Sequence, residues 1–106
     1  MTKFTIVTGM IVDEALQLTF VEICKQHAIS EDTLLDMLEQ GLLEEIDTPH
    51  KQLIFQGAHL KRVLSACRLH RDLGINSPGV ILALELIDEL ENLQQQLQIL
   101  QRHMER

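Results

Sequence analysis

Apolar residues recur along the last third of the chain with the spacing of one helix face. No Gly or Pro occurs after Gly79, and the apolar positions that follow are separated alternately by three and four residues. They are Ala83, Leu86, Leu90, Leu93, Leu97, Leu100 and Met104. This heptad spacing predicts a long helix over residues 77–106 with a coiled-coil seam. Ser77 is its predicted N-cap, with Pro78 in its first turn.

The apolar stripe is wider in the first half of this helix than in the second. From Val80 to Leu90 most residues are apolar, which predicts a segment buried on several sides. Further on, glutamines cover the flanks, so this half needs a partner helix, in this chain or another, and we expect a homodimer. A helix end without a partner stays open as the alternative, because chain termini are commonly loosely held. The expected dimer seam is Leu90, Leu93, Leu97, Leu100 and Met104.

Two short helices are predicted in the first half of the chain. Thr19 and Glu22 have the spacing of a capping box, in which each side chain accepts a hydrogen bond from a backbone amide at the helix start. Ser30 precedes a second helix with an acidic first turn, and Gly41 ends it. These signals predict a helix–turn–helix.

A hairpin and a third helix follow. The apolar runs at 42–46 and 52–56 flank a polar loop, which predicts a small β-hairpin wing. The third helix is predicted over 58–73. The order is typical of a mainly α, winged helix-turn-helix fold with a long C-terminal helix. We expect three parts: an accessory segment at 1–17 with the alternation of a β-hairpin, a winged helix-turn-helix body at 18–76, and the long helix at 77–106.

The charge of the chain is negative and unevenly distributed. The 106 residues carry a net charge of −7. The segment through residue 47 is strongly acidic, residues 48–74 are net basic, and the remainder is acidic again. An acidic N-terminal half repels nucleic-acid phosphate and can attract a basic protein surface. With 3% aromatic residues, surfaces that stack bases are not expected.

The sequence carries no motif that predicts catalysis or a cofactor. It lacks a glycine-rich phosphate loop and a G-x-S-x-G elbow. Cys24 with His27, and Cys67 with His70, form two C-x-x-H pairs that could together offer a tetrahedral zinc site. Zinc ligands more often come from C-x₂₋₄-C and H-x₃₋₅-H turns, so buried, reduced cysteines are the simpler interpretation. We expect no enzyme activity, no metal and no cofactor.

No apolar run has the length of a signal peptide or a membrane span. Together with the reduced cysteines, this leads us to expect a cytoplasmic protein that does not bind membranes.

Three stretches of the chain together resemble a known family. They are TFVEICKQHAIS at 19–30, GLLE at 41–44 and RLHRDLGINSPGVILALELIDEL at 68–90. Their order and spacing, over roughly residues 18–102, resemble the MerR-like superfamily and, within it, the CbpM chaperone-modulator family.

This resemblance implies a protein partner. Members of the CbpM family bind the J-domain of a CbpA-type co-chaperone, a DnaJ relative, and inhibit its DnaK co-chaperone and DNA-binding activities. J-domains present a positively charged helical face, which an acidic surface can mask. The candidate contacts are Glu85, Asp88, Glu89 and Glu91 on the long helix, and Asp36 and Glu39 on the second helix.

A MerR-like DNA-binding transcription regulator is the alternative function, and a structural coiled-coil adaptor is a third. The second helix would enter the major groove, yet residues 31–40 contain four carboxylates and no Lys or Arg. Typical MerR regulators carry an Arg-Tyr-Tyr run where this chain has Leu35, Asp36 and Met37. Without cations to contact phosphate, this helix is not expected to bind nucleic acid directly. We expect the basic residues of the third helix to pair with neighbouring carboxylates on a solvated face. They are Lys61, Arg62, Arg68 and Arg71.

Overall fold

The fold consists of four helices and one small sheet. The structure, a computed structural model, describes residues 15–44, 48–49 and 52–104. In chain order its elements are β1 (Gln17–Thr19), α1 (Phe20–Gln26), α2 (Glu31–Glu39), β2 (Ile54–Gln56), α3 (Gly57–Leu73) and α4 (Ser77–Met104). The predicted fold class, mainly helical with a small antiparallel sheet and a long C-terminal helix, is confirmed. The hairpin predicted near the N-terminus lies almost entirely outside the described residues.

Capping side chains begin the first two helices as predicted. Thr19 Oγ1 accepts a hydrogen bond from the backbone N–H of Glu22 at 3.2 Å, and Glu22 Oε1 accepts one from the N–H of Thr19 at 2.9 Å. Ser30 Oγ accepts from the N–H of Thr33 at 3.1 Å. Amide groups that would lack a partner at the helix starts are thereby satisfied, and the predicted capping box is confirmed.

The start of α4 differs by one residue from the prediction. Asn76 Oδ1, not the Ser77 hydroxyl, accepts a hydrogen bond from the N–H of Gly79 at 2.9 Å, and the Asn76 carbonyl accepts from Val80 at 2.9 Å. Ser77 is buried instead. A β-carbon at Gly79 would lie 2.6 Å from Ile75 Cγ2 and 3.0 Å from Asn76 Oδ1. Glycine is therefore required there for close approach between the helix start and the turn before it.

The second strand of the predicted hairpin has a different partner. Ile54–Gln56 pairs antiparallel with Gln17–Thr19, so that Leu18 lies opposite Phe55. Residues 42–44 form bends rather than a strand. The predicted pairing of 42–46 with 52–56 is therefore wrong for the described residues. Alternation shows which side chains of a strand face the core, but it does not show which strand lies alongside.

The core is built mainly from aliphatic side chains of every helix and from two phenylalanines. α4 contributes only Val80 and Leu84 to the buried apolar set. Every residue from Asp88 to Met104 is exposed, so this part of α4, about 25 Å long, extends beyond the body. The largest fully buried side chains are Phe20, Phe55, Ile23, Leu34, Met37, Leu42, Leu60, Val63, Val80 and Cys67.

Candidate protein-interaction surfaces

The long helix presents a continuous apolar face that no described part of the chain covers. We call this face the outer stripe; its side chains are between 51% and 76% exposed. Successive helix residues are rotated by about 100°, which places the stripe on the side of α4 opposite the buried Val80 and Leu84. The outer stripe consists of Leu82, Leu86, Leu90, Leu93, Leu97, Leu100 and Met104.

Two sequence predictions about α4 are changed by this arrangement. The first half of the helix is buried on one side only, because Leu82 and Leu86 are exposed and Ala83 is only half-buried. The prediction of burial on several sides is therefore wrong for this chain. All five expected seam residues lie on the outer stripe: Leu90, Leu93, Leu97, Leu100 and Met104.

The four candidate acidic residues of α4 occupy two different sides of the helix. Glu85 and Glu89 are one turn apart, exposed, and beside the outer stripe. Asp88 and Glu91 lie on the side that faces α3, where both line a cleft between the two helices. The four acidic residues, which are close together in the sequence, therefore form two pairs: one is exposed beside the outer stripe, and the other lines the cleft.

Arg62 connects three parts of the fold beside this cleft. Its Nε donates a hydrogen bond to the backbone carbonyl of Leu42 at 2.7 Å, and its Nη1 donates to Asp88 Oδ2 at 2.8 Å. The Asp88 side chain is still 58% exposed, whereas that of Arg62 is 26% exposed. Because these partners are 20 and 26 residues away in the sequence, no local pattern could have identified Arg62 as a connecting residue.

Two clefts lie on either side of Arg62. One, of about 420 Å³, is bordered by residues 41–44 and by Ala58 and His59. The other, of about 250 Å³, lies between α3 and α4 and is bordered by Lys61, Ser65, Leu84, Ile87 and Glu91, with Ala58 shared between the two.

The helix that would enter DNA carries an acidic surface. Glu31, Asp32, Asp36 and Glu39 of α2 are all exposed. Asp36 Oδ2 accepts a hydrogen bond from Gln40 Nε2 at 3.0 Å, which leaves its charge in place. α2 packs against α4, so the two predicted acidic sets lie on adjacent helices. Such a surface repels phosphate.

Most of the basic residues of α3 have carboxylate partners. Arg68 Nε lies 3.4 Å from Asp72 Oδ2, and Arg71 Nε lies 3.1 Å from Asp72 Oδ1. Arg62 pairs with Asp88. Three of the four basic residues of α3, Arg62, Arg68 and Arg71, are therefore paired with carboxylates, as predicted. Arg68 and Arg71 share the single carboxylate of Asp72, so these pairs neutralise only part of the positive charge of this segment.

The two C-x-x-H pairs lie in packed surroundings. Cys67 is buried, and burial, with the nearby Cys24 thiol, raises the pKa of Cys67 to about 12. Partial burial and the Arg71 guanidinium lower the pKa of His27. His70 Nδ1 lies 2.8 Å from the carbonyl of Ile75 and donates a hydrogen bond to it. Within 15–44, 48–49 and 52–104, no group of three or more His, Cys, Asp or Glu residues is arranged to hold a metal ion.

The described helices include none that is both long and apolar enough to cross a membrane.

Comparison with known proteins identifies the family. Residues 18–102 match the MerR HTH family regulatory protein family. A chaperone modulatory protein CbpM from Coxiella burnetii (strain Dugway 5J108-111) is 33% identical over 102 residues, which cover 96% of this chain and 95% of that protein.

More distant relatives carry the same name. A chaperone modulatory protein CbpM from Pseudomonas entomophila (strain L48) is 26% identical, over 86% of this chain and 90% of that protein. One from Escherichia coli O1:K1 / APEC is 28% identical, over 83% of this chain and 87% of that protein. These names describe regulatory and modulatory proteins rather than enzymes. The chain therefore belongs to the CbpM chaperone modulatory protein family, with the MerR-type helix-turn-helix region at residues 18–102.

Proposed function

We propose that this protein binds the J-domain of a CbpA-type, DnaJ-like co-chaperone and inhibits its DnaK co-chaperone and DNA-binding activities. The relatives' shared name supports a chaperone-modulating role. The observation that carries the proposal is the charge of the exposed surfaces: α2 and the first half of α4 present carboxylates, and α2 contains no cation. In this proposal the protein acts in the cytoplasm by binding alone, without catalysis or a cofactor.

The proposed contact surface centres on the first half of α4. Glu85 and Glu89 flank Leu82 and Leu86, so that apolar and acidic side chains share one exposed face. Apolar anchors supply most of the binding free energy in protein interfaces, while acidic flanks raise the association rate and select a cationic partner. We assign Asp88 and Glu91, and Asp36 and Glu39 on α2, to the same binding region.

Neutralising two carboxylates tests this surface. The double variant Glu85→Gln/Glu89→Gln should weaken binding of a purified J-domain by about three- to tenfold at low salt, since exposed charge pairs contribute about 0.2–1 kcal/mol each. Its salt dependence should also decrease. A matched control, Gln98→Lys/Gln101→Lys, changes the net charge equally on another side of the helix, about two turns or more from Glu91, and should leave affinity unchanged. Equal effects of the two variants would show that only total charge matters.

DNA binding remains the competing function, because the matched family is a helix-turn-helix family. Gel-shift titrations at low salt, with random and operator DNA, separate the two functions. If DNA binds while the J-domain does not, the proposed function is wrong and regulation of transcription replaces it.

We further propose that the outer part of the stripe, from Leu90 to Met104, is covered by a second copy of this chain. Burying one half-exposed leucine contributes about 1 kcal/mol. Five such residues from each copy total about 10 kcal/mol, against an association cost of about 4–15 kcal/mol. The net free energy favours association only toward the lower end of that cost, so we expect a weak homodimer.

Sedimentation measurements test this dimer. Leu93→Glu/Leu97→Glu should shift the protein to the monomer, because it places charges within the seam. Gln94→Glu/Gln98→Glu adds the same charges outside the stripe and should leave the dimer intact. A monomeric wild-type protein at concentrations of about 100 μM would exclude the dimer.

A further inference from the structure

The cleft between α3 and α4 has the size of a site for one side chain. Its volume is about 250 Å³, which is below the range of about 300–1,000 Å³ that is usual for small-molecule sites. We call it the α3–α4 cleft. It is lined by Ala58, Lys61, Arg62 and Ser65 of α3 and by Leu84, Ile87, Asp88 and Glu91 of α4.

The cleft combines an apolar wall with carboxylates. Leu84 is buried and Ile87 is half-buried, so the α4 side offers hydrocarbon surface next to Ala58 of α3. Asp88 and Glu91 are exposed and lie at helix positions i and i+3, where side chains are neighbours. Lysine and arginine pack their methylene groups on apolar surface while their charged ends remain at the rim, so their side chains match this arrangement.

The lining of the cleft carries two cations, Lys61 and Arg62, and two carboxylates, Asp88 and Glu91, so its formal charges sum to zero. Arg62 already donates to the Leu42 carbonyl and to Asp88, and Lys61 takes part in an interaction of its own. Glu91, in contrast, makes no ion pair with any residue in the described part of the chain. Asp88 also retains acceptor capacity, because an ionised carboxylate has about four lone-pair sites. Both cations are already engaged and Glu91 is not ion-paired within the described residues, so Glu91 favours a cation over an anion as the group that enters.

We infer that the α3–α4 cleft receives one lysine or arginine side chain of the protein partner. Its methylenes lie on Leu84 and Ile87, and its charged end lies between Asp88 and Glu91. This inference rests on the proposed function and makes Glu91 the specificity contact, in contrast to Glu85 and Glu89, which act at the exposed flank. The same cleft rejects an acidic residue, because Glu91 would then face a like charge.

Isothermal titration of a purified J-domain against the full-length protein tests the inference. Glu91→Gln removes the charge without changing the side-chain shape, and Ala58→Met fills the entrance of the cleft with a flexible apolar side chain. Glu91→Gln should weaken binding by about tenfold, because a partly desolvated charge pair contributes more binding free energy than an exposed one. Ala58→Met should weaken binding by a similar factor, because its side chain occupies the space of the incoming one. Glu85→Gln, which lies outside the cleft, should change affinity by no more than about threefold. Circular dichroism and thermal melts verify that each variant is folded.

Double-mutant cycles identify the incoming side chain. Each Lys and Arg on the basic helical face of the J-domain is changed to Met and combined with Glu91→Gln. Exactly one of these residues should show a coupling of about fivefold or more with Glu91, because only one fits the cleft.

The possible outcomes distinguish the inference from the proposed function. If the wild-type protein binds but neither Glu91→Gln nor Ala58→Met weakens binding by more than about twofold, the cleft inference is wrong and the proposed function stands. If Ala58→Met weakens binding while Glu91 couples to no cation, an apolar side chain occupies the cleft, and the inference is again wrong. If the wild-type protein does not bind the J-domain, the proposed function fails and the inference fails with it.

Discussion

The connection that Arg62 makes between α3, the loop after α2 and α4 predicts a measurable loss of stability when it is removed. In Arg62→Met, the Leu42 carbonyl loses a charged donor at 2.7 Å in a half-buried position. Such a loss costs about 1–3 kcal/mol. The pair with Asp88 adds little, about 0–1 kcal/mol, because the Asp88 side chain is 58% exposed. We therefore expect Arg62→Met to lower the free energy of unfolding by about 2–3 kcal/mol.

Urea unfolding, followed by far-UV circular dichroism at one fixed protein concentration, measures this loss. Asp88→Asn removes only the ion pair and should cost about 1 kcal/mol or less. Salt at about 1 M should abolish the effect of Asp88→Asn by screening, while most of the Arg62→Met effect should persist because its main partner is a neutral carbonyl. Arg68→Met is the matched control, since among the described residues Arg68 pairs with exposed Asp72, at 3.4 Å. It should cost no more than about 0.5 kcal/mol.

Two results would refute this account of Arg62. If Asp88→Asn costs as much as Arg62→Met, the ion pair and not the hydrogen bond to Leu42 carries the stabilisation. If Arg62→Met costs no more than Arg68→Met, the connection does not stabilise the fold at all.

Three further predictions concern single positions. Ala28 has a left-handed φ of 51°, so Ala28→Gly should raise the free energy of unfolding by up to about 1 kcal/mol. Its control, Ala83→Gly within α4, should lower the free energy of unfolding by about 1 kcal/mol. Thermal melts in which the two variants shift the melting temperature in the same direction would contradict this. Gly79→Ala should lower the free energy of unfolding by about 1–3 kcal/mol, because the new methyl group would overlap Ile75. If the variant melts at a higher temperature than the wild-type protein, the backbone at Gly79 does not pack closely against Ile75. The pKa of Cys67 in the folded protein, about 12, is raised above the value of about 8.5 for an unfolded thiol. The contribution of the protonated thiol to the free energy of unfolding is therefore fully present below about pH 8.5, and it falls by about 1.4 kcal/mol per pH unit as pH rises toward 12. Urea titrations at about pH 8.5 and 10 should show a larger decrease for the wild-type protein than for Cys67→Ala, and equal decreases would contradict the assignment.

Local signals in the sequence predicted the helices well. The capping box at Thr19 and Glu22 and the cap at Ser30 were correct because each acts within one helical turn. The start of α4 was displaced by one residue because Asn76 and Ser77 are both good caps, and burial of Ser77 decides between them.

Contacts distant in the sequence were not predictable in the same way. The partner of β2 is β1, not the run at 42–46, because alternation along a strand does not specify its neighbour. The acidic run of α4 was correctly placed on a helix, but its division into Glu85 with Glu89 and Asp88 with Glu91 depends on where α3 lies.

The sequence by itself determined the helix boundaries to within a residue or two, the long helix with its apolar stripe, and the acidic character of α2. These follow from periodicity, capping and charge, which act over a few residues. Only the tertiary structure decided which side of α4 packs on the body, which side is left as the outer stripe, and that Arg62 joins Leu42 to Asp88. Those outcomes depend on how α2, α3 and α4 pack together, because segments far apart in the chain compete for the same apolar surface and only the folded arrangement selects among them.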